Sequence, residues 1–464
     1  HRLAPLITHH DEASLTRLLQ KNTRYVELDR KLTPERHATI LGLGIPGVYF
    51  RDGMLRAYPR GNAAAHILGQ VDPQNHGIAG VEKSMEAQLL AGNDVTLSID
   101  IGLQAILAKE ISNQIREFEA IGGAGVLLDI RSGEVLAMVS LPDFNPNHLG
   151  KISADARFNR ATKGLYEMGS TFKVLNTAIA LETGAVQMGQ TYDVAKPLRV
   201  ARFTINDYHI YQRPLSISEI LVYSSNIGSA KMAEAIGPQT QRLFMEKLGL
   251  LDYLPLELPE IGRPLSPRQW KRVETMTVSY GHGISISPVH LASAVGAASG
   301  DGLWVTPTLL KRQTGDNPIK TRVFSAETAR NVRSMMRLVV SHPDGTGNFA
   351  EAPGYMVGGK TGTAEKILGN GYDKKANIAT FVATFPVHDP RYVLAVMVDE
   401  PKGQKKSNGY ATGGWVAAPA VKRIVEQAAP LLGILPVDEK SPEIRQKLRV
   451  DLQIGEEKKT LATF

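Results

Sequence analysis

Between Asp100 and Ile115 apolar side chains fall at Leu103, Ile106, Leu107, Ile111 and Ile115, the spacing of a helix with one buried face. Asp100 stands just before that pattern, where a carboxylate can accept hydrogen bonds from the free amides of a first turn. Ahead of it Val95 to Ile99 reads as a short strand. Behind it Gly125 to Ile130 and Glu134 to Ser140 are apolar, β-branched runs joined by Arg131, Ser132 and Gly133, the pattern of a hairpin. From about Ala154 to Ser299 the helical period dominates. Strands return at Met356 to Ala364, Ile378 to Phe385 and Tyr392 to Val398. The link His388-Asp389-Pro390 is short enough to make the last two antiparallel neighbours. A closing helix is predicted over Val416 to Ala428, followed by a charged tail for which no structure is predicted. Two β-rich blocks around a helical middle predict an α+β catalytic domain on one mixed or antiparallel sheet.

The segment before residue 95 has a different texture. Gly42, Gly44, Pro46, Gly47, Pro59, Gly61, Gly69 and Pro73 punctuate it, so it reads as short strands and loops with one or two helices and no catalytic cluster. The resulting division is 1–94, a non-catalytic module; 95–435, a catalytic domain; and 436–464, a charged tail. A length of 464 residues suits roughly three units by size.

Composition removes several classes. Hydrophobic residues make up 43% and charged ones 21%, ordinary for a globular chain, which excludes disorder and collagen-like repetition. Cysteine is absent, and with it disulfides, thiolate metal sites and a cysteine nucleophile. The net charge of +7 is spread rather than gathered into a stripe, which argues against nucleic acid as a partner. No apolar run is long enough to span a bilayer. The first residue is His1 rather than Met, which predicts a processed or truncated chain.

Two glycine-rich strings imitate nucleotide sites. Gly42-Leu43-Gly44-Ile45-Pro46-Gly47 fits G-x-G-x-x-G, but the residues after it lead into the turn Arg51-Asp52-Gly53 and leave no room for the helix that must receive a pyrophosphate. Gly354 to Thr361 fits the P-loop expression in full, and Val393 to Asp399 could pass for a strand ending in a magnesium-binding carboxylate. The residues before Gly354 do not read as a buried strand, and the glycines after Thr361 leave at most two helical turns.

Three short strings carry other chemistry. In Ser170-Thr171-Phe172-Lys173, Gly169 permits a sharp turn. Val174, Leu175, Ala178 and Ile179 continue at helical spacing, which puts Lys173 one turn after Ser170 on the same face. A serine hydroxyl needs a base at neutral pH, and a lysine of lowered pKa can serve; a serine N-cap followed by a surface lysine is the plainer alternative. Ser224-Ser225-Asn226 lies between two helical patterns, so Ser224 and Asn226 can face one cleft from a loop. Lys360-Thr361-Gly362-Thr363 lies on a β-rich segment, with Lys360 and Gly362 on one side and a free edge for an extended peptide.

The ordered set S-x-x-K, S-x-N, K-T-G resembles the signature of the penicilloyl-serine transferases. Ser279-Tyr280-Gly281-His282-Gly283-Ile284-Ser285 is similar to a segment of the high-molecular-mass penicillin-binding proteins. Tyr58-Pro59, Ala65 to Gly69 and Gly77 to Glu82 resemble the amino-terminal module of their class B group, nearest to its cell-division (FtsI) type. Met168 stands where that family often has proline, and the stretch from Glu82 to Asp94 is short.

The resemblance implies a β-lactamase-like transpeptidase fold, a mixed sheet with helices on both sides, preceded by an incomplete, elongated pedestal. It implies Ser170 as the acylated nucleophile, Lys173 as its base, Ser224 as proton relay, Asn226 as a holder of the stem-peptide amide and Lys360 as stabiliser of that network. Thr361, Gly362 and Thr363 would bind the substrate's terminal carboxylate, and the backbone amides of Ser170 and Thr363 would form the oxyanion hole. No cofactor or metal is implied. The implied ligands are peptidoglycan stem peptides and β-lactam antibiotics. The implied partners are an FtsW-type glycosyltransferase and other divisome proteins. The implied place is the bacterial periplasm, tethered to the inner membrane by an anchor outside this chain. A D,D-carboxypeptidase, a β-lactam sensor or a P-loop ATPase are the rival readings; no E-x-x-L-N string supplies the deacylating carboxylate of a β-lactamase.

Overall fold

The computed structural model describes the chain except residues 9, 31, 54, 149, 151, 202, 369–370, 448–450, 455–456 and 461–464. The chain packs as two compact units. His1–Pro59 with Val71–Asn75 form the smaller. In it Asp11 caps helix Glu12–Leu19, Thr33 caps helix Pro34–Gly42, and Leu3, Ile7, Leu15 and Ile40 are buried together. Arg60–Gln70 and His76–Phe464 form the larger. Division by packing thus falls nearer residue 60 than residue 94.

The larger unit is built on a five-stranded sheet. Helix α1 (Ile101–Glu117) leads into β1 (Gly122–Asp129) and β2 (Val135–Leu141). Asp100 caps α1 as its position predicted, accepting from the amides of Gly102 and Leu103 at 2.8 and 2.9 Å. After a long helical excursion the chain returns as β3 (Gly358–Leu368), β4 (Gly371–Phe385) and β5 (Tyr392–Asp399). The order is β3-β4-β5-β1-β2 and every pair is antiparallel. The sheet is therefore not mixed. Hairpins join neighbours within each block, and β5 meets β1 head to tail, so no strand needs a parallel crossover.

Strands β1 and β5 are buried along their whole length, because helices cover both faces. On one face lie α1 and the long helix Gly413–Leu431, with Leu103, Leu107, Ile111, Val421 and Ile424 against Leu127, Phe381 and Val396. On the other lie helices Pro288–Ser299, Ala326–Ser341 and, behind them, Phe172–Glu182. The excursion between β2 and β3 is thus a helical layer seated on the sheet, and its contact with the edge strand β3 makes the cleft described below.

Two further expectations change. Val95 to Ile99 is not a strand: it makes a single bridge, Leu97 to Leu310, because its partner segment is itself too short to extend the ladder. The tail carries helix Pro442–Lys447 and a two-stranded hairpin, Asp451–Ile454 with Glu457–Thr460. Leu452 and Ile454 alternate with polar residues there, a period-2 signal too brief to stand out beside the surrounding charge.

Candidate active site

Ser170 occupies a single 3-10 turn, Gly169–Thr171, that runs into helix α2 (Phe172–Glu182). The turn is possible because Gly169 has φ +53° and no side chain; a Cβ there would lie 2.6 Å from the carbonyl oxygen of Thr363. Across the gap Gly362 approaches equally closely, since its Cβ would lie 2.3 Å from the carbonyl oxygen of Met168. These contacts seat edge strand β3 directly against the serine turn.

One helical turn on, Lys173 Nζ lies 2.9 Å from Ser170 Oγ, 2.6 Å from the Ser224 carbonyl, 2.7 Å from Asn226 Oδ1 and 3.1 Å from Ser224 Oγ. Lys360 enters from β3 and donates to Ser224 Oγ at 3.0 Å and to the carbonyl and hydroxyl of Thr361, both at 3.2 Å. Both lysines are 0% exposed, and among the described residues no carboxylate bonds to either side-chain nitrogen. Burial, reinforced by the neighbouring Lys360, holds Lys173 well below the usual lysine range, while Asp207 opposes the fall. Burial alone brings Lys360 down to about 7.

Hydrogen-bond capacity fixes what a neutral Lys173 can do. A neutral amine has two N–H donors and one lone pair. The Ser224 carbonyl and Asn226 Oδ1 can only accept, and the amide is oriented by its Nδ2 donating to the Asn206 carbonyl at 3.0 Å. Those two acceptors use both hydrogens, so the lone pair faces the hydroxyls of Ser170 and Ser224.

The Ser224–Asn226 turn is itself held from outside. Ser224 adopts φ +61°, an uncommon conformation for a non-glycine residue. Ser225 caps α3 (Asn226–Ile236) by accepting from the amide of Gly228. Asp207 clamps the turn, accepting from Ser225 Oγ at 2.5 Å and from the amides of Asn226 and Ile227 at 2.5 and 2.9 Å. On the opposite wall Thr361 donates to Thr346 Oγ1 at 3.1 Å, and Thr363 Oγ1 accepts at 3.1 Å from the amide of Gly413, the first residue of α4 (Gly413–Leu431). A helix N-terminus beside two hydroxyls and a buried lysine favours an anionic group.

The structure thus brings Ser170, Lys173, Ser224, Asn226 and Lys360 into one hydrogen-bonded group, with Thr361, Gly362 and Thr363 along its edge. The P-loop string resolves differently: Gly358 to Thr361 belong to β3, and no helix starts at Lys360. Gly42 ends a helix, and no helix opens between it and Gly53. The family model for the penicillin binding protein transpeptidase domain matches residues 123–426, most of the chain and all eight of these residues. The chain belongs to that family, in its class B group.

Among curated relatives of this penicillin-binding protein, the probable peptidoglycan D,D-transpeptidase FtsI of Caulobacter vibrioides is 40% identical over 415 residues, 87% of this chain and 70% of that one. The peptidoglycan D,D-transpeptidase FtsI of Escherichia coli is 30% identical over 442 residues, 89% of this chain and 73% of that one. Among solved structures, the transpeptidase domain of Burkholderia pseudomallei penicillin-binding protein 3 superposes with a TM-score of 0.66 at 33% identity, covering 74% of this chain and 97% of that one. The ampicillin complex of Mycobacterium tuberculosis penicillin-binding protein 3 gives 0.76 at 26% identity, covering 84% and 91%.

Sequence reasoning missed Asp207 and Thr346 in this penicillin-binding protein. Neither belongs to a motif, and each reaches the site from a loop whose position no periodicity encodes. Among the described residues no group of His, Asp and Glu is arranged to hold a metal ion, and no helix is long and apolar enough to cross a membrane.

Proposed function

We propose that Ser170 is the nucleophile of this enzyme and Lys173 its general base. The chain is a peptidoglycan D,D-transpeptidase of the cell-division type, a serine acyl-transferase open to acylation by β-lactams. The observation that carries the residue assignment is the 2.9 Å contact between Lys173 Nζ and Ser170 Oγ, made by a buried lysine whose hydrogens are committed to two carbonyl acceptors.

Ser170 Oγ attacks the carbonyl of the penultimate D-alanine of a stem peptide as its proton passes to Lys173. The oxyanion is received by the backbone amides of Ser170 and Thr363. The proton moves from Lys173 through Ser224, steadied by Lys360, to the departing D-alanine amine. Asn226 holds the stem-peptide amide, and Thr361, Gly362 and Thr363 hold the terminal carboxylate near the N-terminus of α4. An amine of a second stem peptide then attacks the ester and returns a proton to Ser170 Oγ, closing a cross-link in the septal wall. The same reading makes 1–94 a pedestal module, 95–435 the transpeptidase domain and 436–464 a tail. It puts the domain in the bacterial periplasm, held to the inner membrane by an anchor, beside an FtsW-type glycosyltransferase and other divisome proteins.

The test is labelling with a fluorescent penicillin followed by peptide mapping. The adduct is expected on Ser170, and Ser170→Ala is expected to abolish it in a folded protein, because changing a serine at a helix start costs only about 1 kcal/mol. Undiminished labelling of Ser170→Ala would overturn the assignment.

A further inference from the structure

The two halves of the reaction have different proton needs. An alkyl ammonium with a pKa of about 10.4 is almost wholly protonated near pH 7, so the acceptor must shed a proton before it can attack the ester. A neutral Lys173 is needed for the proton released in the attack itself, which leaves the first proton without a base among the residues assigned above.

Glu167 lies three residues before Ser170 and is buried, only 7% exposed. Its Oε1 accepts from the amide of Gly283 at 2.8 Å and from the Tyr372 hydroxyl at 3.2 Å. Its Oε2 has no hydrogen-bond partner among the described residues. This carboxyl adjoins the serine turn: Gly281, two residues from Gly283, has φ +81°, and a Cβ on it would lie 2.2 Å from the Gly169 carbonyl oxygen. Three rings line the same place. Tyr280 and His282 meet edge to face at 5.2 Å, and His282 and Tyr372 stack at 5.8 Å. Tyr372 is half exposed and forms the outer side of the cluster.

The charges of this cluster favour a cation. Burial, then the neighbouring Lys173, push His282 below its ordinary value, so it stays neutral near pH 7. Burial keeps the Tyr280 and Tyr372 phenols neutral as well. Glu167 is left as the group that carries charge, faced by Tyr280, His282 and Tyr372, with Glu365 beyond Tyr372 and Lys173 beyond His282. One carboxylate among aromatic rings is the setting an ammonium prefers.

We propose that Glu167, with Tyr280, His282 and Tyr372, forms the acceptor subsite, in which the carboxylate binds the incoming ammonium and removes its first proton. The step is R–NH3+ plus Glu167–COO− giving R–NH2 plus Glu167–COOH. The free amine then attacks the acyl-ester carbon, and the stored proton leaves to solvent or to the departing D-alanine of the next cycle. The acceptor enters beside the half-exposed Tyr372, whose hydroxyl stays bonded to Oε1 and leaves Oε2 for the incoming ammonium. Burial raises the Glu167 pKa above its ordinary value against the bonds from Gly283 and Tyr372, which makes it a stronger base than an exposed carboxylate.

The inference rests on acylation of Ser170, and its test separates the two. Wild type and Glu167→Gln are compared with a thioester donor ending in D-alanine, offered either Nα-acetyl-lysine amide or methanol as acceptor, together with penicillin labelling. Glu167→Gln is expected to lower aminolysis at least tenfold while penicillin acylation and methanolysis stay within twofold of wild type. Equal losses in all three reactions would make Glu167 a packing residue and overturn the proposal, as would undiminished aminolysis. Failure of wild type to acylate at Ser170 would instead overturn the parent assignment. A second variant guards against misfolding. Tyr372→Phe removes a hydrogen bond that lowers the Glu167 pKa, so the acid limb of aminolysis should move to higher pH while that of acylation does not. An unmoved limb would also overturn the proposal.

Discussion

Lys360 and Lys366 stand on the same strand, β3, yet the fold treats them in opposite ways. Lys360 faces hydroxyls and a carbonyl, and burial brings it down to about 7. Lys366 lies past an irregularity in the ladder between Glu365 and Lys366. It bonds Asp399 at 2.9 Å and Glu400 at 2.6 Å. Burial works against its charge too, but the bonds to Glu400 and Asp399 outweigh it, and its pKa is raised. The difference separates structure from chemistry. Where a lysine holds the molecule together, a carboxylate balances it; where it must release or relay a proton, the fold supplies only neutral acceptors. Lys173 follows the second pattern: its bonds to side chains go to Ser170, Ser224 and Asn226, and the nearest influence of opposite charge is Asp207.

The largest expected effect breaks the catalytic side of that contrast. Arginine keeps a cation at position 173 but does not deprotonate in proteins. If Lys173 acts as a base, Lys173→Arg should reduce the second-order acylation rate by about 100- to 10,000-fold, nearly as far as Lys173→Ala. Stopped-flow acylation of folded variants measures this. Near-normal acylation by the arginine variant would mean that position 173 acts through charge alone.

Methionine substitutions then separate the two lysines of β3. Lys360→Met should slow acylation about 10- to 100-fold, the loss of one strong hydrogen bond in the transition state. It should also raise the acid limb of the rate profile, since the positive field that lowers Lys173 is gone. Yet the same variant should melt higher than wild type at pH 7. Between about 7 and 10.5 the unfolded chain binds a proton on Lys360 that the folded chain does not, so stability rises with pH across that window and is diminished at its lower end. Removing the lysine removes that burden. Lys366→Met should do the reverse, leaving acylation within twofold and lowering stability by about 1–3 kcal/mol, because it deprives the buried Asp399 of a hydrogen-bonding partner. Calorimetry and acylation rates on the pair check both signs; two variants moving the same way would dissolve the contrast.

The legible parts of the molecule are those where one strong local pattern decides the outcome. The face of α1, the hairpin β1–β2 and strands β4 and β5 follow from period and turn chemistry. The first motif falls on a turn that opens a helix and the third on a strand, as their neighbours indicated, while the second starts in a loop and ends on the first residue of α3. The segment 95–99 was misleading because β-branched residues suit any extended backbone, whereas a strand needs a partner of matching length. The compact division near residue 60 was not legible either, since Ser84 and Gly80 join the larger unit through the Glu257 carbonyl and the Glu260 carboxylate, far away in sequence. At the site, Asp207, Thr346 and Glu167 were invisible for the same reason: each acts through a contact that only the fold creates.

Asp207 gives the smallest effect and the finest test of how Lys173 is tuned. Its carboxylate clamps the Ser224–Asn226 turn by three hydrogen bonds, and its charge opposes the fall in the Lys173 pKa. Asparagine separates these roles. Its side-chain oxygen can still accept from the amides of Asn226 and Ile227, and its amide can donate to Ser225 Oγ, so the turn keeps its ties. The negative charge disappears, and Lys173 then becomes easier to deprotonate. Acylation requires neutral Lys173, so its acid limb in Asp207→Asn should move to lower pH. The displacement should be modest, because Asp207 is only partly buried and solvent screens its field. A shift of about 0.3–0.7 pH unit would make the variant two- to fivefold faster than wild type on the acid limb, relative to each enzyme's own plateau. A fall in the plateau with an unmoved limb would assign Asp207 to geometry alone. A limb that moved to higher pH would contradict the direction of its charge, and with it the view that Lys173 is tuned by burial against a single opposing carboxylate.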